Sequence, residues 1–127
     1  MAKRTNQTEH DGMVKSVVNF VKAEGHSNIK ADLEGYDKPE LIYWKSTGKG
    51  HYPDVTSTKS ENYIFEVETD DSINDSHTED QWKLFSANVK AHSRKFIVVV
   101  PKGSEQQAWQ RVRELGISVD DVWTVGK

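Results

Sequence analysis

Acidic residues stand at two β-prone places in the chain, 12 positions apart. Asp54 ends the segment 51–54 at the start of one β-prone run, and Glu66 and Glu68 lie in the middle of the next. Because side chains at i and i+2 point to the same face of a strand, Glu66 and Glu68 should share a face. Clustered carboxylates are typical ligands of hard divalent cations such as Mg²⁺ or Mn²⁺. The pattern indicates a site for a divalent metal ion, which in enzymes can assist the hydrolysis of phosphodiester bonds.

A β-hairpin is needed to bring these acids together. We predict strands over 52–58 and 63–69, joined by a turn at 59–62 and paired antiparallel, so that Asp54 lies near both glutamates. Like charges about 5 Å apart repel by roughly 3 kcal/mol at an effective dielectric constant of about 20, which a bound cation would relieve. The alternative is that the acids belong to a solvated strand surface and a Pro-Asp turn.

The rest of the chain predicts the elements around this hairpin. Apolar residues at helical spacing indicate a first helix over 11–24, followed by a strand at 29–33, a β-prone patch at 41–44 and a loop at 46–50. After the hairpin, capping-box patterns at 76–79 and 104–107 open two helices. Between them, the segment 95–100, which contains an unbroken apolar run, predicts a parallel strand buried on both faces, and 122–125 predicts a last strand. This predicts an α/β fold: a central mixed β-sheet flanked by helices, in αβββαβ order, with an added C-terminal helix and strand.

Composition narrows the class of protein. The 127 residues fit a single domain, and a net charge of −3 argues against a nucleic-acid binder, since such domains are usually basic. Without cysteine, a metal would need oxygen or imidazole ligands. No stretch approaches the roughly 20 apolar residues of a membrane span, and no secretory signal is recognisable, so we expect no membrane partner and a cytoplasmic location. For residues 1–10 we expect a basic arm, either disordered or in contact with DNA.

The element order and the pattern Pro53-Asp54 … Glu66-Val67-Glu68 resemble the PD-(D/E)XK nuclease superfamily over roughly residues 11–101. The resemblance implies a restriction endonuclease-like core and a metal-dependent DNA endonuclease that hydrolyses phosphodiester bonds. It implies Mg²⁺ or Mn²⁺ as cofactor, held by Asp54, Glu66 and the carbonyl of Val67. Glu68 occupies the usual lysine position, where some members use glutamate as a metal ligand or general base.

Other residues are candidates for supporting roles. Gln81 shares a helix face with His77, and a polar residue on this helix often faces the site in the superfamily, so Gln81 joins Asp54, Glu66 and Glu68 as a candidate catalytic residue. Some members recruit a lysine from this helix, and the candidates here are Lys83 and Lys90. The residues that we predict to contact DNA are Lys45, Lys49, His51, Lys83 and Lys90.

Two alternatives to an active endonuclease stay open. One is a catalytically inactive nuclease-like protein that binds nucleic acid or a protein partner, which the missing motif lysine favours. The other is an unrelated α/β binding module whose acids and lysines are only solvated surface charges. A homodimer is an open alternative to a monomer.

Overall fold

A five-stranded mixed β-sheet carries helices on both of its faces. The computed structural model describes residues 7–126. In chain order the elements are α1 (Gln7–Ala23), β1 (Ser27–Ala31), β2 (Ile42–Tyr43), β3 (Gly50–His51), β4 (Val55–Lys59), β5 (Glu61–Val67), α2 (Ser76–His92), β6 (Arg94–Pro101), α3 (Glu105–Leu115) and β7 (Asp121–Val125). The strand order is β1-β4-β5-β6-β7, while β2 and β3 form a separate two-stranded sheet. The predicted α/β class, with a central mixed sheet flanked by helices and an added C-terminal helix and strand, is confirmed.

Strand β5 has one antiparallel and one parallel neighbour. It pairs antiparallel with β4, where Val55 lies opposite Phe65, and parallel with β6, where Phe65 lies opposite Ile97. Strand β6 is buried from Phe96 to Pro101 and pairs parallel with β7 on its other side. A strand covered on both faces needs apolar side chains throughout, which is why its unbroken apolar run predicted this position.

Side chains of β5 alternate between two apolar layers. Phe65 and Val67 pack in the layer with α1, and Ile64 packs in the opposite layer with α2 and α3. Glu66 and Glu68 follow Ile64 at intervals of two residues, so they lie on the face that α2 covers. Both glutamates are 0% exposed. The acidic face of β5 is therefore a buried one.

Helix α1 begins earlier than the sequence pattern predicts. We predicted a helix over 11–24 and a basic arm over 1–10, but the helix already starts at Gln7. His10 continues the apolar stripe of Met13, Val14 and Val17 by one turn and is 3% exposed, so burial extends the helix. The arm is wrong for residues 7–10, and the rest of it lies outside the described residues. Among helices described between residues 7 and 126, none has the length and apolarity needed to cross a membrane.

The end of the predicted loop between β2 and β3 differs from the sequence prediction. The predicted loop 46–50 ends in strand β3, where Gly50 pairs with Tyr43. A Cβ at Gly50 would collide with the carbonyl oxygen of Ile42, so only glycine permits this close approach.

Helix α2 is capped by the Asp75 carboxylate, which accepts the backbone N–H of His77, rather than by a Ser76 capping box. The predicted capping box of α3 is also absent, because Ser104 makes no side-chain cap hydrogen bond.

The edge strand β1 is irregular. It runs from Ser27 to Ala31 rather than over the predicted 29–33, and its register against β4 shifts between Ser27 and Lys30. Asn28 within this shift has a φ of 52°, a left-handed conformation that asparagine tolerates better than most residues. This feature is a β-bulge, which bends and twists the edge of the sheet. The opposite edge is formed by β7.

Candidate active site

Asp54 and Glu66, which we call the acidic pair, are neighbours across strands β4 and β5. Asp54 precedes β4 by one residue, so continuing the register of Val55 with Phe65 places it opposite Glu66. The backbone N–H of Asp54 donates to Oε1 of Glu66 at 3.3 Å, and the N–H of Val67 donates to Oδ2 of Asp54 at 2.8 Å. Asp54 is 4% exposed and Glu66 is 0% exposed. The predicted juxtaposition of Asp54 with Glu66 is observed, and the alternative in which these two acids are separate and solvated is wrong.

His10 of α1 joins the acidic pair. Its Nε2 lies 3.3 Å from Oδ1 of Asp54, and its Nδ1 lies 3.4 Å from Oδ1 of Asp11. The amide nitrogen of Gln7 also reaches Oδ1 of Asp11, at 2.9 Å. His10 was not predicted as a site residue because the helix was predicted to begin one residue after it. Its helical spacing from Met13 and Val14 was the signal that could have identified it as an inward-facing residue.

Glu68 has a different set of neighbours, which we call the Glu68 niche: Glu68, Ser72, Thr78 and Trp82. The Ser72 hydroxyl donates to Oε1 at 2.7 Å, the Thr78 hydroxyl donates to the same oxygen at 3.4 Å, and the Trp82 indole N–H donates to Oε2 at 3.3 Å. All three partners are buried. Each carboxylate oxygen of Glu68 therefore has a donor supplied by α2 or by the loop before it.

The predicted convergence of three carboxylates on one ion is not observed. Within residues 7–126, no group of three or more histidine, aspartate and glutamate side chains is arranged to hold a metal ion. The physical reason is that Glu68 lies one strand repeat beyond Glu66 and is held by the donors of its niche. The candidate ligand set is thereby reduced to Asp54, Glu66 and the backbone of Val67, whose N–H meets the Asp54 carboxylate.

Gln81 lies on the buried side of α2, one turn after His77 and Thr78. It is 5% exposed, and its Oε1 has no hydrogen-bond partner among the described residues. A buried amide oxygen without a donor is costly, by about 1–3 kcal/mol, so such a group points to a ligand or an ion. The predicted sharing of a helix face between Gln81 and His77 agrees with this placement.

His51 and His77 form a contact beside the start of α2. Their ring centroids are 5.0 Å apart, and His51 also lies edge-on to Phe85 at 6.5 Å. Burial lowers the pKa of His51 below its usual value, and the neighbouring His77 lowers it further, while Asp80 opposes the shift. The structure thus places His51 against α2, where a neutral imidazole is favoured.

The predicted lysines occupy two parts of the surface. Lys45 and Lys49 are exposed on the connection between β2 and β3. Lys83 is exposed on α2 and donates to Glu79 at 2.8 Å, as an i,i+4 ion pair. Lys90 is exposed in the last turn of α2, at the opposite end of the helix from the Glu68 niche. These positions favour the interpretation of Lys83 and Lys90 as solvated helix charges.

The donor set of the acidic pair suits a hard cation. Asp54 and Glu66 supply buried carboxylate oxygens. Mg²⁺ and Mn²⁺ prefer such oxygen ligands, completed by water. In comparisons with protein-family models, with curated proteins and with solved structures, no match was found.

Proposed function

We propose that the protein is a metal-dependent DNA endonuclease of the PD-(D/E)XK type. In this proposal Asp54, Glu66 and the carbonyl of Val67 hold Mg²⁺ or Mn²⁺. One observation carries the proposal: two buried carboxylates meet across β4 and β5 at the end of a β-hairpin. When the separate β2–β3 sheet is left aside, the elements around this hairpin follow an αβββαβ order. The order of the elements supports only the nuclease-like fold, whereas the acidic pair supports metal-dependent hydrolysis of phosphodiester bonds.

Electrostatics explains why such a pair calls for a cation. Two carboxylates about 5 Å apart repel by roughly 3 kcal/mol at an effective dielectric constant of about 20, and water cannot screen them well when both are buried. When bound, a divalent ion neutralises the pair, polarises a phosphodiester and lowers the pKa of a bound water. His10, 3.3 Å from Asp54, adds a group that is cationic when protonated.

The surrounding residues are assigned positioning roles. The N–H groups of Asp54 and Val67 fix the carboxylates of Glu66 and Asp54, so both side chains are oriented before a ligand arrives. Glu68 was predicted to assist the attacking water, but its three hydrogen bonds tie it to α2 and its preceding loop. We therefore assign Glu68 to fixing α2 on the sheet. Gln81 is the better candidate to orient a water or a phosphate oxygen.

A catalytically inactive nuclease-like protein is the second candidate function. Two observations favour it: glutamate replaces the motif lysine, and His10 lies against Oδ1 of Asp54, an oxygen that a metal would use. In this case the acidic pair and His10 form a buried charge network that stabilises the fold. The partner would be DNA or another protein.

Cleavage of supercoiled plasmid separates the two candidates. Wild-type protein should nick or linearise plasmid with Mg²⁺ or Mn²⁺ and not with EDTA, and Asp54→Asn or Glu66→Gln should abolish the reaction. Glu61→Gln is the matched control, because Glu61 lies on the same strand and is exposed. Calorimetric titration with Mn²⁺ should give binding that Glu66→Gln removes. Wild-type protein that neither cleaves DNA nor binds Mn²⁺ would overturn the endonuclease.

A further inference from the structure

A polar groove lies on the same sheet face as Glu66. Its volume is about 340 Å³, and its floor comprises Thr56 and Thr58 of β4 with Asn62 and Ile64 of β5. Tyr43 of β2 stands on one side, and the C-terminal half of α2 forms the other. Because Ile64 precedes Glu66 by two residues, the groove begins about 7 Å from Glu66 along the strand.

The groove is basic although the protein is acidic. Three cationic side chains line it, Lys30, Lys45 and Arg94, together with one carboxylate, Glu40. Within residues 7–126 neither lysine has a carboxylate oxygen within 4.0 Å, whereas Arg94 is oriented by the Asn88 side chain at 3.1 Å. With a net charge of −3 for the whole chain, this local excess of cations favours an anionic ligand.

An exposed aromatic ring stands beside these charges. Tyr43 is 54% exposed, and the next residue, Trp44, is 40% exposed. The close backbone approach at Gly50 fixes β2 against β3 and so holds the segment that carries Tyr43. Exposed aromatic rings next to phosphate-binding cations are the combination that single-stranded nucleic acids use, because every base has a face that can stack.

We propose that this groove binds a nucleotide of single-stranded DNA next to the acidic pair, with Lys30, Lys45 and Arg94 on phosphates and Tyr43 on a base. The inference rests on the proposed function for its choice of DNA. The volume lies at the lower end of the roughly 300–1,000 Å³ of small-ligand sites, which suits a nucleotide and excludes a duplex from the floor. Asn62, Thr56 and Thr58 offer polar groups to a base edge.

Fluorescence anisotropy of a labelled ten-nucleotide oligo-dT strand tests the groove. The measurement uses the full chain with EDTA, so binding is read without cleavage. Lys30→Glu with Lys45→Glu should weaken binding at least tenfold, and Tyr43→Ala about tenfold. The matched control, Lys15→Glu with Lys102→Glu, makes the same charge change at exposed sites elsewhere and should change affinity less than twofold. Circular dichroism confirms that each variant folds.

The outcomes separate this inference from the proposed function. Equal weakening by the control pair, or equal competition by duplex DNA or free dTMP, would overturn the groove as a single-strand site. Loss of affinity only in the groove variants supports it, whether or not wild-type protein cleaves plasmid. If wild-type protein cleaves plasmid and the groove variants bind oligo-dT with unchanged affinity, the endonuclease is supported and the groove is ruled out as the binding site for single-stranded DNA.

Discussion

Glu66 lies in β5 and Glu68 directly follows that strand; the two are equally buried, yet their surroundings differ. Glu66 faces another carboxylate side chain across the hairpin and accepts a backbone N–H from Asp54. Glu68 accepts hydrogen bonds from two hydroxyls and an indole of the Glu68 niche. The two glutamates are therefore distinguished by the chemistry of their neighbours and not by how deeply they are buried.

The acidic pair and the Glu68 niche should also differ in their contributions to the stability of the fold. A buried carboxylate with dedicated donors stabilises a fold, since removing it leaves several donors without an acceptor. Two carboxylates placed side by side repel each other and are stabilised by a cation. The acidic pair is thus expected to contribute to activity, and the Glu68 niche to stability.

The largest expected effect comes from neutralising the acidic pair. If the protein is the proposed endonuclease, Asp54→Asn and Glu66→Gln should each lower the rate of plasmid cleavage about 1,000-fold, equivalent to about 4 kcal/mol, because the proposed metal would lose a charged ligand. Their free energies of unfolding in urea should stay within about 1 kcal/mol of wild type. Glu68→Gln should retain cleavage within about tenfold. A folded Glu68→Gln variant as inactive as Glu66→Gln would break the comparison and make Glu68 catalytic.

The next effect concerns stability of the Glu68 niche. Glu68→Ala should lower the free energy of unfolding by about 3 kcal/mol, because Ser72, Thr78 and Trp82 keep buried donors without this acceptor. Urea denaturation followed by tryptophan fluorescence measures the loss. Glu61→Ala, at an exposed position on β5, should change stability by less than about 0.5 kcal/mol. Equal losses in the two variants would contradict a structural role for Glu68.

Substitution of Gln81 should raise the stability of the protein and lower its activity. Gln81→Met keeps the shape of the side chain and removes the buried Oε1, so it should raise the free energy of unfolding by about 1 kcal/mol. If that oxygen serves the acidic pair, the same variant should lower cleavage about tenfold. Thermal denaturation and the plasmid assay measure the two quantities. A variant that is both less stable and fully active would place Gln81 on the structural side of the comparison.

The smallest effect is a pH dependence near the start of α2. Burial lowers the pKa of His51 in the folded protein below the 6.5 of an exposed imidazole, so the unfolded chain binds a proton first as pH falls. The contribution of neutral His51 is therefore complete above about pH 6.5 and is lost progressively below it. His51→Gln should reduce the difference in free energy of unfolding between pH 7 and pH 5. An unchanged difference would show that His51 does not contribute to this pH dependence.

Much of the fold could be predicted because local patterns encode it. The apolar run before Pro101 identified β6 as a doubly buried strand, and the two β-prone runs around residue 60 identified the hairpin of β4 and β5. The β2–β3 hairpin was not predicted as such, because two-residue strands carry no periodicity and depend on packing against α2.

The site was predicted in part for the same reason. Antiparallel register follows from a hairpin, so the meeting of Asp54 and Glu66 could be inferred from spacing alone. The donors to Glu68 come from the loop before α2 and from α2 itself, and their approach depends on how that helix packs on the sheet. No local pattern encodes such packing. The contact of His10 with Asp54 was missed because helix ends are the least predictable part of a helix.

The β-bulge in β1 makes the two edges of the sheet unequal. Strand addition from another chain needs a straight, regular row of unpaired backbone groups, and the shift between Ser27 and Lys30 interrupts that row at the β1 edge. Strand β7 pairs with β6 without a register shift, so its outer edge keeps a regular row of backbone groups. Strand addition from another chain would therefore take place at β7, with β1 acting as a barrier to open-ended aggregation.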